Sequence, residues 1–502
     1  MMISTIRLLS LFLLCLCFTA CEVQRTSSEQ RISSAALQGT SDTGCVTSPN
    51  SRHVACKVTL YDKSFVVLDG KEQKRYAAVE SLVFSPDSQR FAYMAQEGNK
   101  VFVVTDGQEG KGYDNIGANS IVFSHDGKHI AYTALVGNKW RVIVDGNEEK
   151  LYDAIGSNYL VFNASGDRIA YSASEGKKWF VVVNGKEERR YDGILQRTPI
   201  FSPDGTHVAY MAFLAFKGHV VVLDGKEDRL YNSLAEGSIP LFSPDSKRLA
   251  YTAAEDGKMF VVIDGQAGKK YDNISKESPI FSPNSSHLIY AAREGDKWFA
   301  VVDGREGKRY DRVEGFIFSP DGNMFAYAAT EGNKWLVVHN EREDKKYDTI
   351  GNHTPIFSPD GHHMAYIAYE GGKSSVIIDG KIEGTFDVTG GLVFSPDSKR
   401  HAYWAKESNK VVVVVNGKKG KKQYDSTTPP IFSPDSKHVL YIGQAAGKLT
   451  VVVDNKEGAL YQRFFTTGSG VNPSVTMDSE KNLHYLVVKE DAGIYLVEEN
   501  IN

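Results

Sequence analysis

A short unit repeated along the chain limits its fold more than any other feature. Phe84-Ser85-Pro86-Asp87 recurs from Phe201, Phe242, Phe318, Phe357, Phe394 and Phe432, and in altered form from Phe123, Phe162 and Phe281. Degenerate copies begin at Thr47 and Val475, so the 502 residues hold twelve starts spaced 37 to 43 apart. Such a period belongs to a unit of four short strands. An apolar stub such as Ile121-Val122-Phe123 reads as a first, buried strand. Ser-Pro-Asp-Gly or Ser-Pro-Asp-Ser after the stub puts Pro at the second turn position and a permissive residue at the fourth, so the chain reverses. A second strand follows, as in residues 90–95, then a Gly-containing connection such as Glu97-Gly98-Asn99-Lys100. The third strand is Val-rich, as in Trp179-Phe180-Val181-Val182-Val183, and ends at Asn184-Gly185. Asn-Gly or Asp-Gly between extended segments marks a hairpin, because a type I′ turn needs positive φ at both central residues. A polar fourth strand, suited to an exposed edge, closes on Tyr-Asp, as at Tyr191-Asp192 and Tyr310-Asp311.

The units lack any ten-residue stretch with helical spacing and are studded with Asp-Gly, which excludes helical repeats. Four antiparallel strands per unit predict an all-β fold, a β-propeller of about twelve four-stranded blades in which each blade buries its faces on its neighbours. Twelve exceeds the four to eight blades of a typical ring. Two six-bladed rings in tandem are therefore expected, residues 45–277 and 278–502, with unequal rings or a single large or open ring as alternatives. Closure would require strands from both ends of a ring to share a blade. Phe-Ser-Pro-Asp-Gly followed by an Ala-Tyr strand resembles the WD-repeat-like propeller units of the TolB family of periplasmic proteins over nearly all of residues 47–499. A fainter similarity to bacterial WG-type repeats runs through Lys139-Trp140, Asp145-Gly146 and Tyr152-Asp153-Ala154-Ile155.

The N-terminus carries an address. A singly basic start, an apolar run from Leu8 to Phe18 and small residues at Thr19-Ala20 read as a secretion signal over residues 1–20. The run is shorter than the ~20 residues a membrane-spanning helix needs. Phe18-Thr19-Ala20-Cys21 resembles the lipobox of bacterial lipoproteins. The resemblance implies a lipid on Cys21 as the membrane anchor, and Glu22 after it implies the outer membrane, at its periplasmic face or at the cell surface. Residues 21–44, rich in Ser, Thr, Gln and Ala, read as a flexible tether. Of five cysteines, Cys45 and Cys56 remain for an oxidising compartment, and they flank the turn sequence Ser48-Pro49-Asn50-Ser51. A cross-strand disulfide is the preferred reading and two free thiols the other.

Composition narrows function mainly by exclusion. Lys+Arg 58 against Asp+Glu 62 leaves no basic excess for phosphates, so no nucleic acid is expected. Six places after each Phe site stand His53, Arg90, His129, Arg168, His207, Arg248, His287, Met324, His363, Arg400, His438 and Lys481. Regular repetition of this kind is scaffolding, a side chain able to donate to the turn Asp or to a neighbouring Tyr-Asp carboxylate. The Asp residues recur singly per unit, whereas calcium loops concentrate several oxygens. No metal, no cofactor and no catalytic motif is expected. Trp140, Trp179, Trp298 and Trp335 all lie five residues before the hairpin Asp or Asn, as core or interface groups unless a face exposes them. One unit departs from the polar second-to-third connection with Phe213-Leu214-Ala215-Phe216-Lys217, near Arg197 and Glu236-Gly237. Phe213, Leu214 and Phe216 are the candidate partner-binding loop, with packing between two rings as the competing account. The expected function is that of a non-catalytic, lipid-anchored envelope propeller that binds a protein partner, as the TolB resemblance implies. The alternative is a carbohydrate-binding or carbohydrate-active propeller, which a non-repeating cluster of Glu, Asp, His or Arg beside Trp would mark; a glycan is then the ligand.

Overall fold

The computed structural model describes residues 25–32, 44–156, 160–235, 239–466, 475–491 and 493–501. These residues form twelve antiparallel sheets. We number the blades 1 to 12 in chain order, and blade 3 shows the plan. Its first strand is split into Asn115–Ile116 and Val122–Phe123, and both pieces pair with Ile130–Val136. That second strand pairs with Lys139–Val144, and a two-residue Asp145-Gly146 turn leads to Asn147–Glu148. Asp145 and Gly146 both have positive φ (49° and 79°), as the hairpin signal requires. The fourth strand ends where Tyr152 bridges Trp140.

Burial explains the composition of each strand. Ile130 to Ala134 are buried without interruption, because neighbouring blades cover both faces of the sheet. A strand covered on both faces reads as a continuous apolar run rather than an alternating one. Between blades 3 and 4, Ala131, Val142 and Tyr152 pack on Ile169, Tyr171 and Phe180. Tyrosine rings meet edge-on at the successive joints, as Tyr113 and Tyr132 do at 6.4 Å between centroids.

The sequence of joints corrects the expectation of two rings. Across the expected boundary after residue 277, Ala250, Val261 and Tyr271 of blade 6 pack on Ile274, Leu288 and Phe299 of blade 7 like any other pair. The last blade then meets the first: Phe465, Leu486, Ile494 and Leu496 share a cluster with Cys45, Val54 and Cys56. The molecule is therefore one closed ring of twelve blades, and residues 45–277 and 278–502 are arcs of it. In two rings blade 6 would pack back on blade 1 and blade 7 on blade 12; here blade 6 packs on blade 7 and blade 12 on blade 1.

The tether is corrected in part as well. Arg25–Arg31 is a strand, paired in continuous register with Ile494–Ile501 from Arg25 opposite Ile501 to Arg31 opposite Tyr495. It supplies the fourth strand of blade 12, so both chain ends share one blade, as closure of a propeller was expected to require. Its polar face misled the composition argument: six of its seven residues are exposed, as befits an edge strand. The remainder of 21–44 and the signal segment with Cys21 lie outside the described residues, apart from Ile32 and Gly44.

Candidate functional site

Two faces follow from strand direction. Second strands run from the Ser-Pro-Asp turn to the second-to-third turn, so these turns lie on opposite faces about seven residues, or roughly 23 Å, apart.

The Ser-Pro-Asp face is occupied by its own repeated bonds. In blade 2, Ser85 Oγ donates to Asp87 and accepts from the Arg90 N–H. The basic position pairs within its own blade: His53, His129, His207, His287, His363 and His438 each meet the hairpin Asp at 2.6–2.8 Å. The even-numbered blades mostly carry Arg there, and Arg90, Arg168, Arg248 and Arg400 lie over the Phe of the next blade at 5.1–5.4 Å. The position thus ties hairpin to turn and blade to blade. The Tyr-Asp carboxylate takes a different partner. Asp114 accepts from Lys100 Nζ of the preceding blade at 2.8 Å and from the Gly137 N–H at 2.7 Å. Lys100 first, and the Gly137 N–H second, hold this carboxyl below the usual range. Among the described residues, no group of three or more His, Cys, Asp or Glu is gathered as a metal ion would require.

The opposite face carries the departures. Most second-to-third turns place Gly at positive φ, as Gly137 and Gly176 do. In blade 5 the turn after Leu214 holds Phe216 at φ 64°, with its side chain wholly exposed, while Phe213 is 37% exposed and rests on His219 at 5.9 Å. Leu214 is half-buried. Blade 1 repeats the theme with Tyr61, φ 56° and wholly exposed, which sequence reading passed over. A bulky residue in the left-handed region is costly and persists where something other than local stability selects it. Arg197, φ 65°, stands in the first-strand insert of blade 5; Glu236-Gly237 lies outside the described residues.

A second departure lies along the first strands. The fourth-to-first connections are short and mostly Tyr-Asp; the varied residues sit inside the first strand, between its two pieces. Blades 2, 8 and 10 lack that insert and have continuous first strands with a register shift. In blade 8 this leaves a trough between the inserts of blades 7 and 9. One stretch, about 610 Å³, is lined by residues including Glu277, Trp298, Arg312 and Glu314. An adjoining stretch, about 720 Å³, shares Glu277, Arg312 and Glu314 and adds Trp335, Asn352 and His353. Arg312 and Glu314 pair at 2.5 Å. Trp298 and Trp335 are half-buried, each with a guanidinium (Arg293 and Arg312) 5.7 Å from its ring. The legible signal was Glu314 directly after Val313, at the place where most other blades carry Gly, Ala or Ser; Glu277, Asn352 and His353 come from other blades, so no linear motif joins them.

Cys45 and Cys56 stand opposite each other on the first two strands of blade 1 and are joined by a disulfide.

No family model matches the chain, and no curated protein matches it. Similar solved structures include the eukaryotic initiation factor, at 13% identity over 61% of this chain and 88% of that one, TM-score 0.35. The β-propeller domain of the Trilobed protease from Pyrococcus furiosus, with an open velcro topology, aligns at 11% identity over 53% of this chain and 94% of its own, TM-score 0.26. TolB from Acinetobacter baumannii aligns at 16% identity over 45% and 65%, TM-score 0.21. At these scores no property passes from them to this chain, and the propeller assignment rests on the strand order and the closed series of blade joints.

Proposed function

We propose that the ring is a non-catalytic platform of the cell envelope, anchored by a lipid on Cys21, that docks a protein partner on its second-to-third-turn face. The observation that carries this reading is Phe216, a wholly exposed aromatic side chain on a left-handed backbone position. In one closed ring there is no second ring for the loop to pack on, which supports the docking reading. Exposed aromatic anchors of this kind are what protein interfaces use as their energetic centres. Strand direction supports the orientation. Arg25 opens its strand beside Ile501, at the Ser-Pro-Asp face. A lipid on Cys21 would lie four residues away, at most about 14 Å of chain. The Ser-Pro-Asp face then turns to the membrane and Phe216 away from it, toward a soluble or opposing partner.

The test is photo-crosslinking in the native host from position 216. The expected result is one dominant adduct that disappears in a folded Phe213→Ser/Phe216→Ser variant, whose purified partner binds the unaltered ring and not the variant. A normal ring without a specific adduct would reject the loop as a docking site.

A further inference from the structure

Beyond the docking reading and independent of it, we infer that the trough over blades 7 to 9 is a binding site for a neutral oligosaccharide. Four observations converge there. The first is shape. Two adjoining hollows of about 610 and 720 Å³ share Glu277, Arg312 and Glu314, so the site is an open trough suited to a chain of residues rather than a closed pocket for one small molecule. Its floor is blade 8, where the missing first-strand insert leaves Glu314-Gly315-Phe316 between Ser275–Ser278 on one side and Gly351–Pro355 on the other.

The second is the pair of indoles. Trp298 and Trp335 occupy the same position in consecutive blades, both half-buried, both lining the trough. Ring faces of pyranoses present a patch of C–H groups that packs on an indole, and indoles one repeat apart suit a polymer with a regular residue spacing. A guanidinium stands 5.7 Å from each ring centre, Arg293 at Trp298 and Arg312 at Trp335, and holds the indole's orientation.

The third is the polar complement. Glu277 and Asn352 are exposed on the walls, and the Arg312–Glu314 pair sits between the two hollows. Carboxylates and an amide offer acceptors and donors in the arrangement that vicinal hydroxyls satisfy. The fourth is charge. Glu277, Asp311 and Glu314 stand against Lys276 and Arg312, a balance that offers a phosphate or polyanion no net attraction. The half-polar lining equally argues against a purely apolar guest.

The experiment titrates cellohexaose and chitohexaose into the full-length mature protein in detergent, by calorimetry and tryptophan fluorescence. The expected result is saturable binding of at least one hexasaccharide with a change in emission. Trp298→Ala/Trp335→Ala should weaken it about tenfold or more. Trp140→Ala/Trp179→Ala, the same repeat position in blades 3 and 4, should leave it within about twofold. Because the indoles also pack at blade joints, a second variant, Glu277→Ala/Glu314→Gln, should weaken binding about fivefold at an unchanged melting temperature. Failure of both sugars to bind at millimolar concentration, or binding indifferent to both trough variants, would overturn the inference. Phe213→Ser/Phe216→Ser should bind the sugar normally, which separates this site from the docking loop.

Discussion

The closing joint, between blades 12 and 1, is built differently from the other joints of the ring. At an ordinary joint the chain passes directly from Tyr-Asp of one blade into the next first strand, and repeated bonds finish the work: Lys100 to Asp114, Tyr113 to Glu148, Arg90 over Phe123. At the closing joint the passage is made by Arg25–Arg31, the fourth strand of blade 12, and the chain that leads from it to Cys45, while no hairpin ties that strand to the third strand of blade 12. The joint uses single-copy groups instead. His484, fully buried, bonds Asp478 at 2.8 Å and the carbonyl of Asn50, across the joint, at 2.7 Å. Arg52 reaches Asp478 and Glu498 across the joint at 2.7 Å, and within blade 12 Arg25 of the fourth strand pairs with the buried Glu499 of the third. A repeat array propagates stability through neighbours, so the one blade whose third and fourth strands no hairpin connects must supply its own attachment.

Removing residues 22–32 tests this contrast most severely. Ile494–Ile501 would become a bare edge strand, and the protein should lose its closed-ring scattering profile and self-associate. A monodisperse, compact ring after the deletion would show that closure does not depend on the shared blade.

Raising the pH attacks the ordinary joints together. Burial pushes Tyr132 and Tyr441 up to about 12. A folded-state value raised above the unfolded value of about 10 means stability fully present below pH 10 and lost as pH climbs toward the folded value, about 2 kcal/mol for each such tyrosine. Urea midpoints should be flat from pH 7 to about 9.5 and fall steeply from 10 to 12.

The closing joint should be the more sensitive to a single substitution. His484→Ala empties a fully buried site and removes the bonds to Asp478 and the Asn50 carbonyl, and should cost about 3 kcal/mol by chemical denaturation, with earlier hydrogen exchange in blades 1 and 12. Cys45→Ala/Cys56→Ala reopens an 11-residue separation beside the same joint and should cost about 3 kcal/mol, judged from loop-closure entropy. Smallest is Tyr251→Phe at the joint of blades 5 and 6. It removes a hydroxyl bonded to Asp228 and Tyr231 and should cost about 1 kcal/mol. If Tyr251→Phe proved as damaging as His484→Ala, the distinction between the two kinds of joint would fail.

Much of this architecture was legible from residues alone, for identifiable reasons. Pro and Gly at fixed offsets encode turns locally, so blade count, strand order and the Asp-Gly hairpins could be read one unit at a time. The basic position was legible as structural because it recurred. What it bonds was open, and the geometry chose the hairpin Asp of the same blade and the aromatic ring of the next. The strand at Arg25–Arg31 was illegible because an exposed edge strand has no apolar periodicity of its own; it takes its register from Ile494–Ile501, more than 460 residues away. The trough escaped for a related reason, since Glu277, Arg312 and His353 come from three successive blades and meet only through blade stacking.

The sequence by itself determined the four-stranded unit, its number and its turns, because each depends on interactions within about forty residues. Tertiary structure alone decided that the units close into one ring, which strand closes it, and which departures from the repeat come to lie side by side. Those outcomes depend on the small angle between successive blades summed over twelve joints, a quantity that no single unit encodes.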